Sequence, residues 1–104
     1  MTKSTYVKEK QKVDPSNVAR SAIKTLSNSH RFNLMKVLLS TKRDLCVNEL
    51  SEAIGISQSA TSHQLSFLEA QGVVKSVRTG KTKCYLPTDT KLTEKIAKVI
   101  ESLK

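Results

Sequence analysis

The sequence predicts a mainly α fold of about five helices with one small β-hairpin, and three observations predict it. Apolar residues recur at helical spacing in separate segments along most of the chain. Two β-capable runs flank Thr79-Gly80-Lys81, which reads as a hairpin turn. Gly55 interrupts the pattern between two short helical stretches, where the chain must reverse. At 104 residues the length prior gives a single domain. Such a short chain builds only a modest core, so a second copy would let it bury apolar faces that a monomer leaves wet.

Residues 1–13 are polar and lysine-rich without helical period, and read as a basic, flexible N-terminal tail or a frayed helix start; residues 14–104 are the expected folded domain. Asp14-Pro15 predicts a helix start, Asp as cap and Pro at the first helical position. Val18, Ala19, Ala22, Ile23 and Leu26 then recur on one side, and Ser27-Asn28-Ser29 ends the helix. A second helix is predicted from His30 to Ser40. Its apolar set, Phe32, Leu34, Met35, Val37, Leu38 and Leu39, is too wide for one stripe, so it must be enclosed at the centre of the core. After a polar loop, Leu45-Cys46-Val47 is short and β-capable, and Asn48 is the expected cap of a third helix running through Ile54.

Ser57 is the expected cap of the fourth helix, 58–71, which has an apolar side at Leu65, Phe67, Leu68 and Ala70. Its first two turns, Gln58 to Gln64, are polar yet uncharged. Gly72 suits the left-handed position after a helix end. Val73 to Arg78 and Thr82 to Leu86 are the predicted strands, and Pro87 stops the second. Asp89 or Thr90 caps a last helix whose stripe is Leu92, Ile96, Val99 and Leu103, with Ile100 beside it.

Charge narrows the function. Eighteen Lys and Arg against nine Asp and Glu leave a net charge of +9. Lys75, Arg78, Lys81 and Lys83 fall in a stretch with no acid between Glu69 and Asp89, and Lys3, Lys8, Lys10 and Lys12 crowd the N-terminus. A basic footprint of this kind fits a polyanion, nucleic acid first. Tyr6, Phe32, Phe67 and Tyr85 are the only aromatic residues. Single-strand and RNA binders stack bases on aromatic platforms, so duplex DNA is favoured. No apolar run approaches the roughly 18 residues of a spanning helix, and no secretory signal is legible. The expectation is a cytoplasmic chain without membrane contact.

Helix, helix, short strand, helix, tight turn, helix, hairpin, helix is the winged helix-turn-helix order. Leu50, Ile54 and Ile56 supply apolar contacts around the turn, and Gly55 reverses the chain there. That geometry aims the start of helix 58–71 outward, into a major groove about 12 Å wide. Gln pairs with adenine edges, and Ser and Thr meet bases or phosphates. The candidate DNA-binding residues on this helix are Gln58, Ser59, Thr61, Ser62, His63 and Gln64. Lys75, Arg78, Lys81 and Lys83 of the wing, 73–86, are the candidate anchors on the backbone or minor groove. A winged helix that binds a protein is the alternative, and the neutral reading helix beside a basic wing argues against it.

Gly55-Ile-Ser-Gln-Ser-Ala-Thr-Ser-His-Gln-Leu65, followed by Leu68, Gly72-Val-Val, Arg78-Thr-Gly80-Lys and Tyr85, resembles the ArsR/SmtB family of metal-responsive repressors. The likeness runs from about Ala19 to the C-terminus. It implies a homodimer joined through the first and last helices, bound to a palindromic double-stranded operator and released by an effector. Thr61 departs from the family's apolar β-branched residue, which marks it as a half-buried spacer as well as a candidate contact.

The family's metal site begins with Cys-Val-Cys, where this sequence has Cys46-Val47-Asn48; Asn is a poor ligand for soft metals. The last helix has no His. No metal site and no cofactor are therefore expected. Cys46 and Cys84 are too few for a zinc module, and in a cytosolic chain the first expectation is two reduced thiols. The alternative is a thiol sensor, since Cys46 precedes a helix N-terminus and Cys84 follows Lys83, settings that favour thiolate. The short strand of Cys46 is expected to pair with the hairpin, which would bring the two near each other. No catalytic triad, paired carboxylates or phosphate loop is legible, so no enzyme activity is expected.

Overall fold

A computed structural model describes residues 15–104; the expected tail 1–13 and the expected cap Asp14 lie outside the described residues. Helix α1 spans Pro15–Leu26 and α2 spans Ser29–Ser40. α2 begins one residue earlier than the sequence predicts, because the Asn28 side chain accepts from the His30 and Arg31 N–H groups. Leu34, Met35 and Leu38 have no exposure, and α2 packs on α1 and, further along the chain, on the helices at 47–54, 58–70 and 91–102 and the strand at 82–87, as its wide apolar set requires.

β1 (Leu45–Cys46) leads directly into α3 (Val47–Ile54). Cys46, not Asn48, is the cap residue: it is extended, and its N–H donates to Glu49 Oε1 at 2.9 Å. Arg43 grips the same carboxylate, Nη2 to Oε2 at 2.9 Å. That guanidinium holds the Glu49 carboxyl below its usual pKa, with the Cys46 N–H adding to the effect.

Gly55 ends α3 with φ 74°, a conformation in which a Cβ would be strained. Helix α4 follows at Gln58–Ala70, capped by Ser57, whose Oγ accepts from the Ala60 N–H at 3.0 Å. The hairpin is β2 (Val74–Thr79) and β3 (Thr82–Pro87), one residue later at each outer end than expected. Val73 belongs to the helix end, its N–H donating to the Leu68 carbonyl at 3.2 Å.

The sheet order is β1-β3-β2, all antiparallel, with Leu45 opposite Tyr85 and Cys46 opposite Cys84. Cys46 and Cys84 are joined as a disulfide, which corrects the expectation of two reduced thiols. Their register explains it, because directly opposed cross-strand residues place their Cβ atoms on the same face. Helix α5 (Lys91–Ser102) is capped by Thr90, whose Oγ1 accepts from the Thr93 N–H, and it packs on α1. Ile96 and Ile100 join the core, while Ile23 of α1 is 69% exposed and Leu103 64%.

Candidate nucleic-acid interface

α3, the Gly55 turn and α4 form a helix-turn-helix. Leu50 is fully buried, and Ile54 packs half-buried against the same core. On α4 the buried stripe is Thr61, Leu65 and Leu68, spaced i, i+4, i+7. That stripe decides what faces outward: Gln58, Ser59, Ser62 and His63 are exposed, and Gln64 is half-buried on a flank.

Thr61 is corrected by this geometry. It has no exposure, and its hydroxyl donates to the Ser57 carbonyl at 2.8 Å, so it presents nothing to a groove. Its burial also supplies the reason: at this helical phase it belongs with Leu65 and Leu68. Gln64 points its carbonyl away from the exposed set, to Arg31 Nη1 at 3.3 Å.

The four wing cations are exposed but do not share one face. Arg78 lies opposite Lys83 in the ladder and Lys75 opposite Leu86. Strand alternation puts Arg78 and Lys83 on one side and Lys75 on the other, with Lys81 in the turn. Lys83 Nζ lies 3.9 Å from Glu69 Oε1 and 5.7 Å from the Tyr85 ring centroid, so its stem is steered along α4.

A single open cleft of about 650 Å³ gathers Gln58, Ser59 and Ser62 of α4 with Lys81, Thr82 and Lys83 of the wing, floored by Val47 and Asn48. It brings reading and anchoring candidates together; His63, Lys75 and Arg78 lie outside it. Asn48 and Thr82 are the two polar lining residues that sequence reasoning missed. Asn48 is read from sequence as a helix cap, and the cap's true position at Cys46 is what frees the Asn48 side chain for the cleft. The amides and hydroxyls there offer hydrogen-bond donors and acceptors beside the two lysine ammonium groups. Among the described residues no group of three or more His, Cys, Asp or Glu comes together as a metal site would require.

A family model described as "Bacterial regulatory protein, arsR family" matches residues 28–76, from the α2 cap into β2. The chain is 31% identical over 97 residues to a putative arsenical resistance operon repressor, ArsR2, of Halobacterium salinarum, covering 86% of this chain and 80% of that protein. Among solved structures, the transcriptional repressor BigR from Xylella fastidiosa superposes with a TM-score of 0.74 at 30% identity, over 99% of this chain and 93% of that one. A homodimeric winged helix-turn-helix DNA-binding domain from Mycobacterium bovis has the same fold, with a TM-score of 0.65 at 20% identity over 89% of this chain and 84% of that one.

Proposed function

This chain belongs to the arsR family of bacterial regulatory proteins, and on that premise we propose that it is a homodimeric repressor of transcription that reads an operator in double-stranded DNA. The observation that carries the proposal is the cleft in which Gln58, Ser59 and Ser62 stand across from Lys81 and Lys83. The start of α4 enters the major groove, with Gln58, Ser59, Ser62 and His63 as the base-facing set. Arg78, Lys81, Lys83 and, from the other face, Lys75 bind phosphates. Uncharged side chains discriminate bases, while cations add affinity without sequence information.

Dimerisation runs through α1 and α5. An apolar groove lined by Ala22, Ile23, Leu26 and Val99 lies between these helices, beside the exposed Ile23. A second copy covering this face would pair two reading heads, and a two-fold dimer calls for a palindromic operator.

The Cys46–Cys84 disulfide favours a second element of the function, control by thiol oxidation. Two thiols lose two electrons and two protons to a small-molecule disulfide or peroxide, which is itself reduced. The bond forms between β3 of the wing and the residue that caps α3, so it ties the wing wall of the cleft to the helix start that also lines it.

Selection of bound duplexes from a random pool tests the proposal, run under reductant, under oxidised glutathione and with a panel of divalent metals. A shared palindromic sequence is the expected result. Equal, weak binding to all duplexes would instead favour a protein-binding winged helix.

A further inference from the structure

Arg31 occupies a corner that DNA reading does not use. Its guanidinium donates to two carbonyls at the C-terminal end of α1, Nε to Thr25 O at 3.0 Å and Nη2 to Lys24 O at 3.1 Å. Its third arm, Nη1, donates to Gln64 Oε1 on α4 at 3.3 Å. Its plane lies over the Phe67 ring, with Cζ 4.1 Å from the centroid. One planar cation therefore closes the last turn of α1, where unpaired carbonyls and the helix dipole favour positive charge, and stacks on α4 as an aromatic face allows.

The position matters because α1 packs mainly on α2 and α5. Among the described residues, Arg31–Gln64 is the side-chain hydrogen bond that reaches α4 from the α1–α2 corner. The fork is one that lysine cannot reproduce, since its ammonium is a point charge without fixed donor directions. Gln64 has one lone pair of its carbonyl engaged by Arg31, a bond that competes with a bidentate adenine contact.

We propose that Arg31 and Gln64 are positioning residues: together they set the tilt of the reading helix relative to the dimer helix α1, and so the spacing of half-sites that the dimer accepts. Gln64 on this account holds the helix and does not read a base. The inference rests on the DNA-reading function proposed above.

The test uses the full chain, the operator selected from the pool, and versions of it with one base pair added or removed between half-sites. R31K and Q64L should each weaken operator binding about tenfold, the size of a missing hydrogen bond to a charged group. The double variant should be little worse than R31K alone, because the Arg31–Gln64 link is already lost in R31K. Each should keep the parent's base preference on reselection, and each should narrow the gap between the operator and its respaced versions. R31Q should leave the salt dependence unchanged.

Three results would overturn the proposal. A changed base preference in Q64L would make Gln64 a reader. A salt slope lower by about one unit in R31Q would put Arg31 on a phosphate. Independent, additive losses with spacing discrimination intact would reduce both residues to separate packing roles. A thermal-unfolding cycle on the same variants without DNA reads the Arg31–Gln64 pair alone. A parent chain that selects no sequence therefore sinks the functional reading, and this role with it, while coupling between Arg31 and Gln64 is still measured.

Discussion

Cys46 and Cys84 are direct cross-strand partners in the β1–β3 pair and are covalently joined, so the residue that caps α3 is tied to the inner strand of the wing. The bond closes a loop of 38 residues in sequence separation, and in the chain-entropy picture its reduction costs about 3–4 kcal/mol of stability. The same bond ties the wing wall of the cleft, which carries Lys81 and Lys83, to the start of α3. Reduction frees that wall, and ordering it again on DNA costs about 1 kcal/mol, the scale of one immobilised side chain. Dithiothreitol should therefore lower the denaturation midpoint and weaken operator binding several-fold, whereas C84S should respond to neither reductant nor oxidant. Equal operator affinity before and after verified reduction would remove the thiol from the regulatory account.

The dimer prediction is best placed on Ile23, which is 69% exposed beside the apolar groove of α1 and α5. I23E puts a charge where a second copy would have to bury it, and the desolvation cost opposes association. Sedimentation at tens of micromolar should show the parent as a dimer and I23E as a folded monomer. Ile96 is a poorer probe although it is central in the apolar stripe of α5. It has no exposure within one protomer, so I96E would disrupt the fold along with any interface.

That contrast shows what is legible in the sequence and why the rest is not. Periodicity finds every described helix and both hairpin strands, because amphipathic stripes, Ser57, Gly55 and Gly72 are local signals. The stripe Leu92, Ile96, Val99 and Leu103 does not reveal which members face the protomer's own core, since that depends on where α1 lies. Asn48 reads as the cap of α3 because it is a good capping residue in isolation, yet the strand pairing of Cys46 fixes the helix start earlier. Gln64 reads as a candidate base contact, and nothing local in the sequence signals its bond to Arg31, 33 positions away in the chain.

The wing cations should separate by their surroundings. Alanine at Arg78, Lys81 or Lys83 should weaken binding to all duplexes alike and lower the log–log salt slope by about one unit for each phosphate left without its cation. Lys81, in the turn and lining the cleft, has no ion pair among those of the described residues. Lys83 is shared with Glu69, an exposed pair of little energetic weight, so K83A should still register in a salt titration of nonspecific binding. Disappearance of the sequence preference with an unchanged slope would mean that wing and helix have exchanged roles.

The reading helix carries the most exposed part of the functional proposal, and three substitutions, two outward and one inward, separate its faces. Gln58 and Ser62 are exposed and line the cleft, so neither holds α4 in place. Removing a good base-reading side chain at either position should cost about 1–3 kcal/mol at the cognate operator. Nonspecific affinity should hardly change, because no charge to phosphate is removed. Thr61 lies between them in sequence but faces the core, and its hydroxyl bonds a carbonyl that already accepts the Thr61 N–H. T61V keeps the β-branched shape and removes only that redundant bond, so operator affinity and base preference should match the parent. Competition binding with operator and scrambled duplex reads all three variants at once. If T61V shifts the preference while Q58A and S62A bind the operator as tightly as the parent, the helix meets DNA through a different face.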